Sequence, residues 1–191
     1  MKRDLILGIT GASGSIYAAG FMRHAMRLGA HLRIVASETG EKVFRHETGL
    51  SVREAADSCG GRFTLYDNTD MFADIASGSC RTDAMVIVPC SMKSLSSVAH
   101  GASGSLLERA ADVMLKERRP LVLAVRETPL SLVHLRNMTA AAEAGAVILP
   151  ASPGFYHRPE TIERLADFIT ARILDQLGIE HDLNTAWGKL E

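Results

Sequence analysis

RAADVMLKERRPLVLAVRETP, residues 109–129, contains an uninterrupted apolar run, Leu121–Val125, with the length and β-branched content of a buried parallel strand. The segment before it has a helical pattern. Five cations, Arg109, Lys116, Arg118, Arg119 and Arg126, surround the run. Arg126 and Glu127 therefore fall at the C-terminal end of a strand, where open α/β sheets bind their ligands. Cations at that edge predict an anionic ligand, a phosphate above all.

Outward from this stretch, strand and helix patterns alternate along the chain. Leu5–Thr10, His31–Ala36, Phe63–Tyr66, Ala84–Val88 and Ala146–Leu149 read as further strands. Helical patterns cover Ser15–Leu28, Glu38–Glu47 (capped by Ser37), a segment from Met92, Ser105–Lys116, Ser131–Ala144 and Pro159–Leu177. Residues 51–83 give no clear pattern apart from the short strand. Such alternation predicts a single α/β domain over 1–191, a Rossmann-like or flavodoxin-like doubly wound parallel sheet.

The chain has 191 residues, 47% hydrophobic and 23% charged, with a formal net charge of −1. That balance suits one globular domain and argues against nucleic-acid binding by bulk electrostatics. The three cysteines, Cys59, Cys80 and Cys90, form no CxxC pair. They fit a reducing cytoplasm, without a disulfide framework or a zinc site. The apolar run after Met1 is too short for a signal peptide and enters a glycine-rich turn. No stretch is long enough to span a membrane.

Two strand ends carry further polar turns. Gly8-Ile9-Thr10-Gly11-Ala12-Ser13-Gly14 joins the first strand to the first helix. Its glycines and free N–H groups suit either a phosphate or flat ring, or a tight turn needing glycine for geometry alone. The spacing is GxxGxxG, not GxGxxG, and no acidic residue ends the second strand, which weakens a classical dinucleotide reading. Pro89-Cys90-Ser91-Met92-Lys93-Ser94 follows another strand. Ser91 reads as an N-cap, and Lys93 and Ser94 add a cation and a hydroxyl, giving either a second anion site or simple capping. Cys90 reads as a small buried side chain rather than a nucleophile. Arg118 and Arg119 read as a solvated helix end, and no histidine has metal-ligand spacing.

These residues carry a family likeness. GASG (11–14), PCSMKSL (89–95), ERAADVMLKERRPLVL (108–123), RETP (126–129), GAVILPASPGFYHRP (145–159), RILDQLGI (172–179) and Trp187 together resemble the UbiX/Pad1-type flavin prenyltransferases, over essentially the whole chain. The resemblance implies transfer of a dimethylallyl group from dimethylallyl monophosphate to reduced FMN, without a metal. The product is a prenylated flavin used by UbiD-type decarboxylases. It also implies a homo-oligomer, a dodecamer, with a C-terminal tail from about residue 178 docked on a neighbour.

Residue by residue, the resemblance implies the following roles. Gly11, Ala12, Ser13, Ser37, Ser91, Met92, Lys93, Ser94 and Arg126 hold FMN. Arg109 and Trp187 line a site shared between subunits. Tyr156, Arg172 and Lys116 hold the allylic phosphate. Glu127 is an acid/base near the leaving phosphate, and Glu47 with Ser13 handles a proton near the flavin. The chain departs from the pattern in two places. Met71, with Phe72 beside it, stands where some members have a tryptophan, and Gly101–Ser105 lacks an asparagine common in the family. Two competing functions share the fold: an FMN-dependent cysteine-type decarboxylase, which needs a catalytic histidine and an asparagine-containing clamp, and a non-enzymatic flavin carrier or decarboxylase accessory subunit.

Overall fold

The computed structural model describes residues 3–183. Six parallel strands form one sheet: β1 (Asp4–Ile9), β2 (His31–Ala36), β3 (Arg62–Tyr66), β4 (Ala84–Cys90), β5 (Leu121–Val125) and β6 (Val147–Pro150), in the order β3-β2-β1-β4-β5-β6. This is the doubly wound Rossmann order, and its direction reverses between β1 and β4. The chain crosses over through α1 (Ser15–Arg27), α2 (Glu38–Thr48), α3 (Val52–Ser58), α4 (Met92–Ala99), α5 (Leu106–Lys116), α6 (Leu132–Glu143) and α7 (Ile162–Gln176).

Alternate strand residues feed two cores. Leu5, Leu7 and Ile9 face Phe21, Met22 and Phe44 with α7's Ile169 and Ile173 on one side of the sheet. Ile6, Met85, Ile87, Leu121 and Leu123 face Leu95, Leu107, Ala110 and Met114 on the other. Strands covered on both faces need apolar residues at every position, which is why β4 and β5 are buried throughout.

The expected strands and helices are present with ends moved by three residues at most, and β2 and β5 match residue for residue. One helix was not expected. α3 carries a full capping box, in which Ser51 accepts from Glu54 N–H and Glu54 reaches back to the Ser51 N–H. The 67–83 connection contains one 3-10 turn over Asp74–Ala76. It is tied to the sheet by Arg33, which donates to Tyr66 Oη and Asp74 Oδ2, both at 2.6 Å.

Candidate functional site

The ends of β1 and β4 meet at the point where the strand order reverses. Thr10, 1% exposed, binds the two turns together. Its hydroxyl donates to Pro89 O at 2.6 Å and accepts the Ser91 N–H at 2.8 Å. The glycine turn and the Pro89–Ser94 turn are thus the two lips of one cleft.

The glycine turn matches the geometric alternative. Gly14 adopts φ +113, and a Cβ on Gly11 would come within 2.5 Å of Thr39 Cγ2, so both glycines answer to local geometry. The N–H groups that open α1 are not free for a phosphate. The Glu47 carboxylate accepts the Gly14 N–H at 3.0 Å and the Ser15 N–H at 2.7 Å. A bound carboxylate disfavours a second anion at that helix end, which leaves a flat ring or turn geometry as the better alternatives for this turn. Glu47 and Ser13 are brought together as the resemblance implied. Burial raises the Glu47 pKa, but hydrogen bonds from Ser13, Ser15 and Gly14 outweigh it and hold the carboxyl below its ordinary range.

Because the folded pKa is depressed, the stability that Glu47 contributes is fully present above pH 4.5 and disappears as pH falls through the lowered value. Glu47→Gln is expected to lower stability at neutral pH by about 1 kcal/mol, as for a lost helix cap. Melting of both proteins across the acid range checks this. The gap between them closes in acid; a constant gap would contradict the assignment.

On the second lip, Ser91 caps α4 by accepting from the Ser94 N–H, and its hydroxyl donates to Ser94 Oγ at 3.2 Å. Met92 and Ala12 are buried beside the cleft, and Ser37 caps α2 by accepting from Gly40 N–H at 3.0 Å. The Lys93 ammonium, expected at the anion site, is paired with Glu108. Glu108 is 5% exposed and also accepts from Gly104 N–H at 3.0 Å, so Lys93 neutralises a buried carboxylate. Cys90 is fully buried and burial pushes its thiol up to about 12, so no thiolate is available.

Arg126 spans the cleft from the end of β5. Its Nε donates to Ser13 O at 3.0 Å, and among the described residues neither Nη amine finds an acceptor. Glu127 is exposed beside it, and its carboxylate accepts the adjacent Thr128 N–H at 3.1 Å. Arg126 and Glu127 line a cavity of about 150 Å³ with Thr128, Met138 and Ser152. A second cavity of about 230 Å³ adjoins it at Pro150 and Ser152 and is lined by Phe168 and Arg172. Arg172, which the resemblance assigns to the allylic phosphate, is paired with Asp175. Tyr156 sits edge-on to Phe168, with ring centroids 5.7 Å apart.

A single chain does not bring the remaining cations to this cluster. Lys116 ends α5, the helix that runs back to the start of β5, so it lies at the opposite edge of the sheet, where it pairs with Glu117. Arg109 donates to Ala76 O at 3.0 Å and to Asp112 Oδ2 at 2.7 Å. Arg119 is no solvated helix end: it donates to Cys80 O at 2.6 Å and Gly78 O at 2.7 Å and clamps the loop before β4. Trp187 lies outside the described residues. Thr10 escaped the sequence reading, although a hydroxyl at the last position of a strand that enters a glycine turn was a usable signal.

The donor set fits a flavin mononucleotide better than a dinucleotide. One helix end at the switch point is occupied by Glu47, while Arg126 and the Ser37, Ser91 and Ser94 hydroxyls are the polar side chains at the neighbouring strand ends. Fold and site together define an α/β flavoprotein. The sequence model of the Flavoprotein family matches residues 1–174. The flavin prenyltransferase UbiX of Alkalihalophilus pseudofirmus is 45% identical over 196 residues, covering 99% of this chain and 98% of the relative. The crystal structure of AnUbiX in complex with FMN and dimethylallyl pyrophosphate superposes with a TM-score of 0.94 at 38% identity, covering 100% of both chains. A dodecameric FMN-dependent UbiX-like decarboxylase from Escherichia coli O157:H7 follows with a TM-score of 0.90 at 40% identity, covering 96% of this chain and 98% of that one. The chain belongs to the Flavoprotein family and, within it, to the UbiX-type flavin prenyltransferases.

Proposed function

We infer that this protein joins the dimethylallyl group of dimethylallyl monophosphate to reduced FMN, releasing phosphate and making prenylated FMN. The observation that carries the reading is the pair of adjoining cavities beside the two-lipped cleft, one bearing Arg126 and Glu127 and the other Arg172. Its full-length similarity to flavin prenyltransferases supports it.

Reduced FMN supplies an electron-rich ring to the allyl group. The protein's task is the leaving phosphate. As the allylic C–O bond breaks, negative charge gathers on the phosphate oxygens, and fixed cationic and phenolic donors stabilise that charge more than the ground state. Arg172 and Tyr156 take this role from the same chain. Lys116 reaches the site only from a neighbouring subunit, because its own sheet edge faces away. Glu127 protonates the departing phosphate. Glu47, hydrogen-bonded to Ser13, takes up the proton displaced at the flavin.

An oligomer also fits the surface. Leu130, Leu132, Val133 and Leu135 expose an apolar face on and before α6, and Phe72 and Phe155 protrude elsewhere. Assembly as a dodecamer, as in the Escherichia coli relative, would cover such faces and bring Arg109, Lys116 and the segment carrying Trp187 to neighbouring sites. The product would pass to a UbiD-type decarboxylase in the cytoplasm. Cysteine-type decarboxylation is not favoured, since the Pro89–Ser94 turn offers neither a catalytic histidine nor an asparagine clamp. A mere flavin carrier leaves the Arg172 cavity without a use.

Anaerobic turnover with reduced FMN, followed by phosphate release, tests the donor. Dimethylallyl monophosphate is expected to give one orthophosphate per flavin consumed. Turnover with the diphosphate alone would contradict the monophosphate reading.

A further inference from the structure

Arg172 does not stand alone on α7. Its Nη1 donates to Asp175 Oδ2 at 2.7 Å, one helical turn on. The other Asp175 oxygen, Oδ1, lies 3.1 Å from His181 Nε2. The Leu183 N–H donates to His181 Nδ1 at 3.2 Å. That last bond fixes the imidazole: a nitrogen that accepts carries no proton, so Nε2 carries it and donates to Asp175. The Asp175 carboxylate thus accepts from both sides, from His181, itself fixed by the Leu183 N–H, and from the Arg172 guanidinium that lines the 230 Å³ cavity.

The backbone is shaped to make these contacts. Gly178, at φ +62, ends α7 in a reversing turn. Its N–H donates to Asp175 O at 3.1 Å, and the Ile179 N–H donates to Leu174 O at 3.0 Å. This Schellman arrangement folds the following residues back along the helix, where Ile179 packs on the core. Arg27 of α1 holds the returning segment by donating from Nη1 to Asp182 Oδ2 at 2.9 Å. His181 is the buried member, its side chain 10% exposed, while Asp175 and Arg172 are 43% and 49% exposed. An isolated surface ion pair orients an arginine weakly. A carboxylate whose second oxygen is pinned by a buried imidazole orients it firmly and leaves the other guanidinium amines for a ligand.

We propose that Asp175 and His181 are positioning residues that hold the Arg172 guanidinium in the geometry needed to bind the phosphate of the allylic donor. The proposal rests on the reading of Arg172 as a donor-phosphate residue. It gives the segment after α7 a function through residues 178–183 alone.

The test is steady-state kinetics of the full-length protein with saturating reduced FMN and varied dimethylallyl monophosphate. Asp175→Asn is expected to raise the donor KM about tenfold and to lower kcat by a smaller factor, as for a misplaced binding group, with FMN affinity and melting temperature unchanged. A loss of general structure would lower kcat, FMN affinity and melting temperature together. His181→Phe is expected to act like Asp175→Asn, and His181→Gln, which keeps an N–H donor, to lose less. Arg172→Ala is expected to raise the KM further, and adding Asp175→Asn to it to change nothing more, since the two act as one unit. If Arg172→Ala raises the KM while Asp175→Asn leaves it unchanged or lowers it, the positioning role is overturned and the reading of Arg172 survives. If Arg172→Ala leaves the donor KM unchanged, that reading falls and the proposal falls with it.

Discussion

Arg126→Ala is expected to weaken FMN binding about 100-fold, the scale set by removing a charged partner from a partly enclosed anion site. The loss has two sources. The guanidinium donates through Nε to Ser13 O, which ties the glycine turn to the end of β5, and in the proposed site its two Nη amines would bind the flavin phosphate. The backbone anchor of the same residue, Arg126 N–H to Cys90 O at 3.2 Å, does not depend on the side chain, so the fold is expected to survive. FMN titration of the purified variant by fluorescence quenching reads the effect directly. An affinity within about twofold of the parent would place the phosphate elsewhere, because no single charge-assisted contact is so cheap.

Lys116→Ala and Glu127→Gln are each expected to lower product formation by about 100-fold or more, the cost of removing a group that stabilises a leaving oxyanion or delivers its proton. The two differ in how they combine. Lys116 ends the helix that leads into β5 and Glu127 follows that strand, so one chain carries them at opposite edges of its sheet. If one site draws Lys116 from one subunit and Glu127 from another, mixed oligomers contain some sites with both residues intact. Random mixing at equal amounts would rescue about a quarter of the sites. Co-expression of the two variants with different affinity tags, followed by assay of the doubly purified assembly, gives the result. Activity no higher than that of either variant alone would mean that the two residues act within one chain or that Lys116 is not in the site.

What was legible in the sequence followed from local causes. Leu121–Val125 is an apolar run and His31–Ala36 a strand whose polar His31 and Arg33 alternate with buried Leu32 and Ile34, and both strand limits came out unchanged. Ser37, Ser91, Ser105 and Ser131 each announced a helix start, and each caps one. The Ser51-x-x-Glu54 pattern was equally readable and was missed because its apolar stripe, Val52, Ala55 and Ala56, is a single turn of small side chains. The chemistry of the site was less accessible. That Glu47 would occupy the start of α1 depends on how α2 packs beside it, and Lys93 and Glu108 meet only because α4 and α5 are neighbours. Likewise, Arg119 looked like a solvated helix end until the carbonyls of Gly78 and Cys80 came within reach. Motif matching assigned residues to one site. Topology then separated Lys116 from the others, a conclusion the strand–helix order already contained.

The most direct test of the central claim is the mass of the flavin released after anaerobic incubation of the protein with reduced FMN and dimethylallyl monophosphate. FMN heavier by one dimethylallyl unit is expected, with the gain suppressed in the Tyr156→Phe/Arg172→Ala protein. Unmodified FMN, tightly bound and unchanged with either the monophosphate or the diphosphate, would contradict prenyl transfer and leave a flavin-binding protein of another activity.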